Sequence, residues 1–251
     1  MLNCAFSVLG KNLKLALAPV IMDLLSLFLA LTTFGFVGES KFSLQFAISV
    51  GLPTINDILE AANSISPNLD GGGLVVLLFT LILFSFAEAG FIGQLYQLAT
   101  NGSSPTGEIF FSYARRFWLR FLGLQLLLTV VVFLGLYVSM LLGVIGALAY
   151  VVGFLVLRIR YIYWEFTIVT EDLDIFTAFT RSRQLYDQRS SELAAVLTYI
   201  LVANVVAGLI FNFLPFPIVF FAGIFVYNAI ATGLQLALMY TKPGLAEPPL
   251  E

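Results

Sequence analysis

The chain has 251 residues, 60% of them hydrophobic and 11% charged, with a mean hydropathy of +0.98 and a net charge of −3. Soluble domains carry roughly 45–50% apolar and about 25% charged residues, so this composition excludes an ordinary globular domain and points to membrane-spanning helices of about 20 apolar residues each. His is absent and Cys4 is the single cysteine, which excludes an intramolecular disulfide, Ser-His-Asp and Cys-His catalysis, and the usual zinc and haem ligand sets.

In chain order, "AFS" at Ala5–Ser7 is followed by Lys11, Lys14 and the first predicted span, 15–37. This run is too long for a signal-peptide core and no small-residue cleavage site follows it, so the span is expected to be retained. Next, Leu52, Ile55, Ile58, Leu59, Ala62 and Ile65 recur at helical spacing with Asp57, Glu60 and Asn63 between them. They predict a short amphipathic helix on the outer surface, ended by Pro67 and the Gly71–Gly73 cluster. "DGGG" at Asp70–Gly73 lacks the Lys and following helix of a phosphate-binding loop. The second span is placed at 74–98.

After a polar loop comes "GEIFFSYARR", 107–116. Helical projection puts Phe110, Tyr113, Ala114, Phe117 and Phe121 on one face, with Glu108, Ser112, Arg115 and Arg116 opposite. This is the pattern of an interfacial helix with aromatics at headgroup level and Arg toward anionic lipid. The apolar run from Trp118 to Leu157 would reach about 60 Å as one helix, twice the roughly 30 Å hydrocarbon core. It must fold back around Ser139–Gly146, giving spans three (118–139) and four (143–165). "LDIFTAFTRS", 173–182, then repeats the outline of the earlier motif, with Ile109 and Ile175 standing 66 positions apart; "AFS" near the N-terminus is a third, fainter copy. Spans five (193–214) and six (218–240) are joined by Pro215–Pro217, and 242–251 reads as a disordered tail.

The expected fold is therefore an all-α membrane protein with a single polytopic domain, 1–241. Six transmembrane helices form three hairpins, each preceded by a short interfacial amphipathic helix. Of the 12 Lys and Arg, only Lys41 falls outside the N-terminal side, so the positive-inside rule predicts a multi-pass protein of the cytoplasmic (plasma) membrane with both termini cytoplasmic.

The run "RIRYIYWEFTIVTEDLDIFTAFTRSRQL", Arg158–Leu185, resembles a pattern in six-span bacterial and archaeal membrane proteins of unknown function, and is similar to the membrane domain of some glycerophosphoryl diester phosphodiesterases. The shared features are an Arg-bearing span end, an apolar stretch, an acidic turn (Glu171, Asp172), an Ala-aromatic pair and an Arg-Ser (Arg181, Ser182), then another span. The resemblance implies the fold. No soluble phosphodiesterase domain is present, so that activity is not implied.

An ionised side chain at a helix centre costs about 2.5–3.5 kcal/mol on insertion scales. Asp23 in span one and Glu88 in span two are such acids, roughly 13 and 15 Å from the cytoplasmic ends at about 1.5 Å per residue. Arg158 and Arg160 are their cationic partners in a predicted intramembrane polar cluster. That cluster is either an ion-pair network fixing the packing, or a functional site (a cation or proton relay, or a polar-headgroup pocket open to the cytoplasm), unless the acids simply stay protonated. Gln94, Gln125, Asn204, Asn212, Asn228 and Gln235 fit interhelical hydrogen bonds. The pairs Ala89 with Gly93, Ala149 with Gly153, Ala203 with Ala207 and Ala229 with Gly233 fit close helix contacts. Arg115, Arg116, Arg181 and Arg183 are candidates for an anionic lipid headgroup or an acidic partner.

No catalytic set, metal site, cofactor motif or nucleic-acid module is expected. The sequence thus favours a non-catalytic, lipid-associated or scaffolding component, with membrane lipids, a membrane-protein partner or further copies of the chain as partners. The alternative is a small transporter or channel using Asp23 and Glu88, and an intramembrane lipid-processing enzyme is the weakest reading.

Overall fold

A computed structural model describes residues 2–34, 71–102, 104–213 and 217–245. The predicted outer helix at 52–65, the ends of spans one and five, the side chains of Asn204, Ala207 and Asn212, Pro215 and the last six tail residues lie outside what is described. Among the described residues the chain is built of helices with no strand.

Helix α1 (Leu2–Lys11) ends at Asn12, whose side-chain amide donates to the Val8 carbonyl at 3.1 Å. A 3-10 turn (Leu13–Ala16) then leads into α2 (Leu17–Phe34), and the chain bends by 93° between Leu2–Lys11 and Leu13–Leu25. Helix α3 is Gly71–Asn101, so the Gly71–Gly73 run opens a helix.

The Thr106 hydroxyl caps α4 (Gly107–Arg160) by accepting from the Ile109 amide, as an N-cap Thr does. Helix α4 turns back at Gly143, at φ 62 and ψ −146, inside the stretch where the length argument required a reversal. Its two limbs meet: a Cβ at Gly135 would lie 2.2 Å from the Tyr150 ring. Helix α5 (Trp164–Thr170) is short, α6 (Ile175–Phe213) leaves helical geometry at Arg189, and α7 (Pro217–Thr241) closes the bundle.

Among the described residues, four stretches are long and apolar enough to cross a membrane: Leu78–Asn101, Gly107–Ser139, Ile145–Thr170 and Gly223–Thr241. The bent N-terminal pair makes up to five. The predicted fifth span is represented by the shorter apolar stretch Leu193–Ala203 within α6.

The core joins Ala87–Ala99 of α3, Phe117–Leu124 of α4, helix α5, Ala178–Ile200 of α6 and Ile224–Tyr240 of α7, with α1 laid against α7. Between Leu126 and Leu157, α4 is almost wholly apolar and many of its described side chains face outward, with Leu134 at 61% and Ile145 at 80% exposure. In water such a surface would be a large unpaired apolar patch, whereas acyl chains cover it at no solvation cost. The helices and this belt make the chain a membrane protein.

Candidate functional site

The ionic centre of the molecule is the turn between α5 and α6, where Glu171 and Asp172 stand side by side. Asp172 adopts a left-handed conformation (φ 54), which Asp tolerates better than most side chains. The carboxylates thereby bind different elements. Asp172 accepts from Arg116 and, at 2.6 Å, from Arg120, both on α4, while Arg120 also donates to the Leu173 carbonyl. Glu171 accepts from Arg181 on α6 at 2.9 Å and from Lys242, just beyond α7, at 2.8 Å. Lys242 opens the segment read as a disordered tail, yet it is 5% exposed.

Asp174 supports the turn by capping α6, its carboxylate accepting from the amides of Phe176 and Thr177. The Trp164 indole donates to the Ile175 carbonyl, and Tyr161 stacks on Phe179 with ring centroids 3.9 Å apart. Partial burial pushes the Glu171 carboxyl up, but the bonds and charges of Lys242 and Arg181 outweigh it and hold the group below its ordinary 4.5. Arg120 and then Arg116 hold Asp172 below its ordinary 3.8.

The predicted intramembrane acids take hydrogen bonds from different helices. Asp23, 1% exposed on α2, accepts a 2.6 Å hydrogen bond from the side-chain amide of Asn228 on α7. Glu88, partly buried on α3, accepts from the Gln125 amide of α4 at 2.9 Å, and Ser85 joins the same group. Arg158 lies within electrostatic reach of Glu88 and donates at 2.9 Å to Glu165 of α5, each side chain being 14% exposed. The buried Arg160 Nε makes no hydrogen bond. Gln125 and Asn228 thus bond between helices, as expected of intramembrane amides, and Gln94 ties α3 to the Thr106 carbonyl at the entry to α4.

The aromatic face of "GEIFFSYARR" is as projected, but it packs on protein rather than headgroups. Ala114, Phe117 and Phe121 are at most 1% exposed, and the rings of Phe110 and Tyr113 occupy the space over Gly90 and Gly93. Phe111 is the ring that faces outward. In the later motif Phe176, the counterpart of Phe110, is 72% exposed, and the side chains that turn inward are Ala178, Ser182 and Leu185.

Of the four arginines assigned to an anionic partner, Arg116 and Arg181 are therefore held by Asp172 and Glu171. Arg115 and Arg183 are exposed, with no ion pair among the described residues. Glu165 and Lys242 were missed in the sequence reading. Glu165 pairs with Arg158 only because the chain breaks between α4 and α5, and nothing local marked either that pair or Lys242.

These features define a helical, multi-pass membrane protein in which Arg116, Arg120, Arg158, Arg181 and Lys242 gather around acids of the α5–α6 segment. In comparison with known proteins, the chain matches no family model, no curated protein and no solved structure.

Proposed function

We propose that the chain is a non-catalytic, lipid-associated scaffold of the plasma membrane, with six spans in three hairpin units and both termini cytoplasmic. Its kinship would be with the membrane domain found in some glycerophosphoryl diester phosphodiesterases. The observation that carries the reading is the division of labour among the arginines. Arg116, Arg120 and Arg181 are consumed in tying α4 and α6 to one acidic turn, while Arg115 and Arg183 stay outward at the same end of the bundle. Outward cations at the inner interface favour anionic headgroups by about 1 kcal/mol each.

The test is lipid retained on the purified protein. Arg115→Gln with Arg183→Gln should lower retained anionic lipid several-fold and leave thermal stability unchanged, and unchanged retention would remove lipid recognition from these residues. The transport reading draws on Asp23 and Glu88, each bonded to an amide of a neighbouring helix. Solute flux in proteoliposomes that survives Asp23→Asn and Glu88→Gln would exclude it.

A further inference from the structure

The chain of contacts Leu81, Ser85, Gln125, Glu88 sets a constraint on where hydrogens sit. The buried Ser85 Oγ lies 2.6 Å from the Leu81 carbonyl oxygen and 3.0 Å from the Gln125 side-chain amide, and a hydroxyl has one hydrogen to give. The shorter contact is the back-bond to residue i−4 that helical Ser and Thr commonly make, as Thr129 makes here to the Gln125 carbonyl. With its hydrogen placed there, Ser85 Oγ can only accept, and the end of Gln125 that satisfies it is the NH2 rather than the oxygen that faces it in the structure.

The two ends of a carboxamide have nearly the same shape and exchange by rotation about the last side-chain bond. That rotation turns the Gln125 oxygen toward Glu88 across the 2.9 Å contact. Two oxygens this close need a hydrogen between them, and only a protonated Glu88 can supply it. In this state Glu88 donates to Gln125, Gln125 donates to Ser85 and Ser85 donates to Leu81. The other consistent state has Glu88 ionised and accepting from the Gln125 NH2, with the Ser85 hydrogen drawn across to the Gln125 oxygen.

We propose that Glu88 is a proton-binding site, and that taking up or releasing one proton rotates the Gln125 amide between these two hydrogen-bonded states. Two charged side chains stand near this carboxyl. Glu165 on α5 and Arg158 on the second limb of α4 are within electrostatic reach, and Arg158 already donates to Glu165. Two carboxylates and one guanidinium leave an excess negative charge when both acids are ionised, and one proton removes it.

The other elements packed on α3 add no cation at the site. Helix α2 brings Asp23, which accepts from Asn228; the 3-10 turn brings Lys14, which is exposed; and α7 has no charged side chain between Pro217 and Thr241. On release the proton leaves the Glu88 carboxyl for solvent, and Glu88 and Glu165 are left as two carboxylates near Arg158. The proposal is independent of the scaffold reading.

Infrared difference spectroscopy of the full chain in lipid nanodiscs, titrated with pH, tests it. The unsubstituted protein should show a neutral-carboxyl carbonyl band at neutral pH that shifts in heavy water and is lost on alkalinisation, and Glu88→Gln should abolish it. Ser85→Ala should lower the pH at which the band is lost, because the protonated state loses two bonds at Ser85, from Gln125 and to Leu81, and the ionised state one. Glu165→Gln should lower it further, because Arg158 is freed to turn to Glu88. These two titrations carry the test should Glu88→Gln fail to fold. A protein without the band at neutral pH, a band that survives Glu88→Gln, or a midpoint untouched by Ser85→Ala and Glu165→Gln would overturn the proposal.

Discussion

A methyl group added at Gly93 would lie 2.2 Å from Cγ of Tyr113, deep inside contact distance. The ring has little room to retreat: its hydroxyl accepts from Gln97 at 2.7 Å and it stacks on Phe117, which is itself 1% exposed. Gly93→Ala should therefore force α3 and α4 apart and cost about 1–3 kcal/mol, the usual range for overpacking a filled interface. Gly153 gives the matched control, because a Cβ there meets nothing within 4 Å. Thermal unfolding in detergent should find Gly153→Ala near the parent and Gly93→Ala well below it. Equal effects would mean that the α3–α4 contact is looser than the geometry states. Both glycines follow an alanine by four positions, so the motif alone does not decide which pair seals an interface and which faces lipid. The deciding fact is the partner, an aromatic helix face in one case and open space in the other.

At the level of elements, the α5–α6 turn acts as a clasp, since Glu171 and Asp172 between them hold α4, α6 and the end of α7. Its dependence on pH follows from the direction of the carboxyl shifts. Both groups are held below their ordinary values of 4.5 and 3.8, so the folded state binds protons less readily than the unfolded one. Their contribution is complete above those values and is lost as pH falls through the lower folded-state values. Thermal midpoints should consequently drop on acidification below pH 4.5, and Glu171→Gln should flatten that drop. At neutral pH Glu171→Gln should cost about 1–3 kcal/mol, because Lys242, 5% exposed, loses its anion without regaining water. Asp172→Gly should abolish the bonds to Arg116 and Arg120 while easing the left-handed backbone. A midpoint that stays at the parent value in both variants would show that the clasp carries no stability. The acidic turn was visible in the sequence as part of a pattern, but its partners were not, because the distance from Arg116 to Asp172 along the chain is closed only by packing.

For the whole molecule, what could be read in advance follows from what is local. The apolar runs and the length limit of a bilayer placed a reversal between Ser139 and Gly146, and Gly143 supplies it. The aromatic face of the 107–116 motif was likewise set by helical spacing. What covers that face was not legible: Phe110 and Tyr113 fit Gly90 and Gly93 of α3, a separate helix that ends before the motif begins. Grouping Asp23 with Glu88 by depth assumed that level along the membrane determines partners. The hydrogen bonds of the two acids run to amides on different helices, Asn228 and Gln125, which depth alone did not indicate. Sidedness can be tested against the same geometry. About 40 Å of helix separates Arg116 from Gly143 at about 1.5 Å per residue, more than the roughly 30 Å hydrocarbon core, so the charged end and the α4 reversal should emerge on opposite faces. With Cys4 replaced by Ser, Leu142→Cys should react with an impermeant maleimide in intact cells, whereas Arg115→Cys and Arg183→Cys should react only after the membrane is opened. The reverse pattern would invert the proposed orientation. Reaction of all three from one side would mean that the first limb of α4 does not cross, and the apolar belt around Leu134 and Ile145 would then need a covering other than lipid.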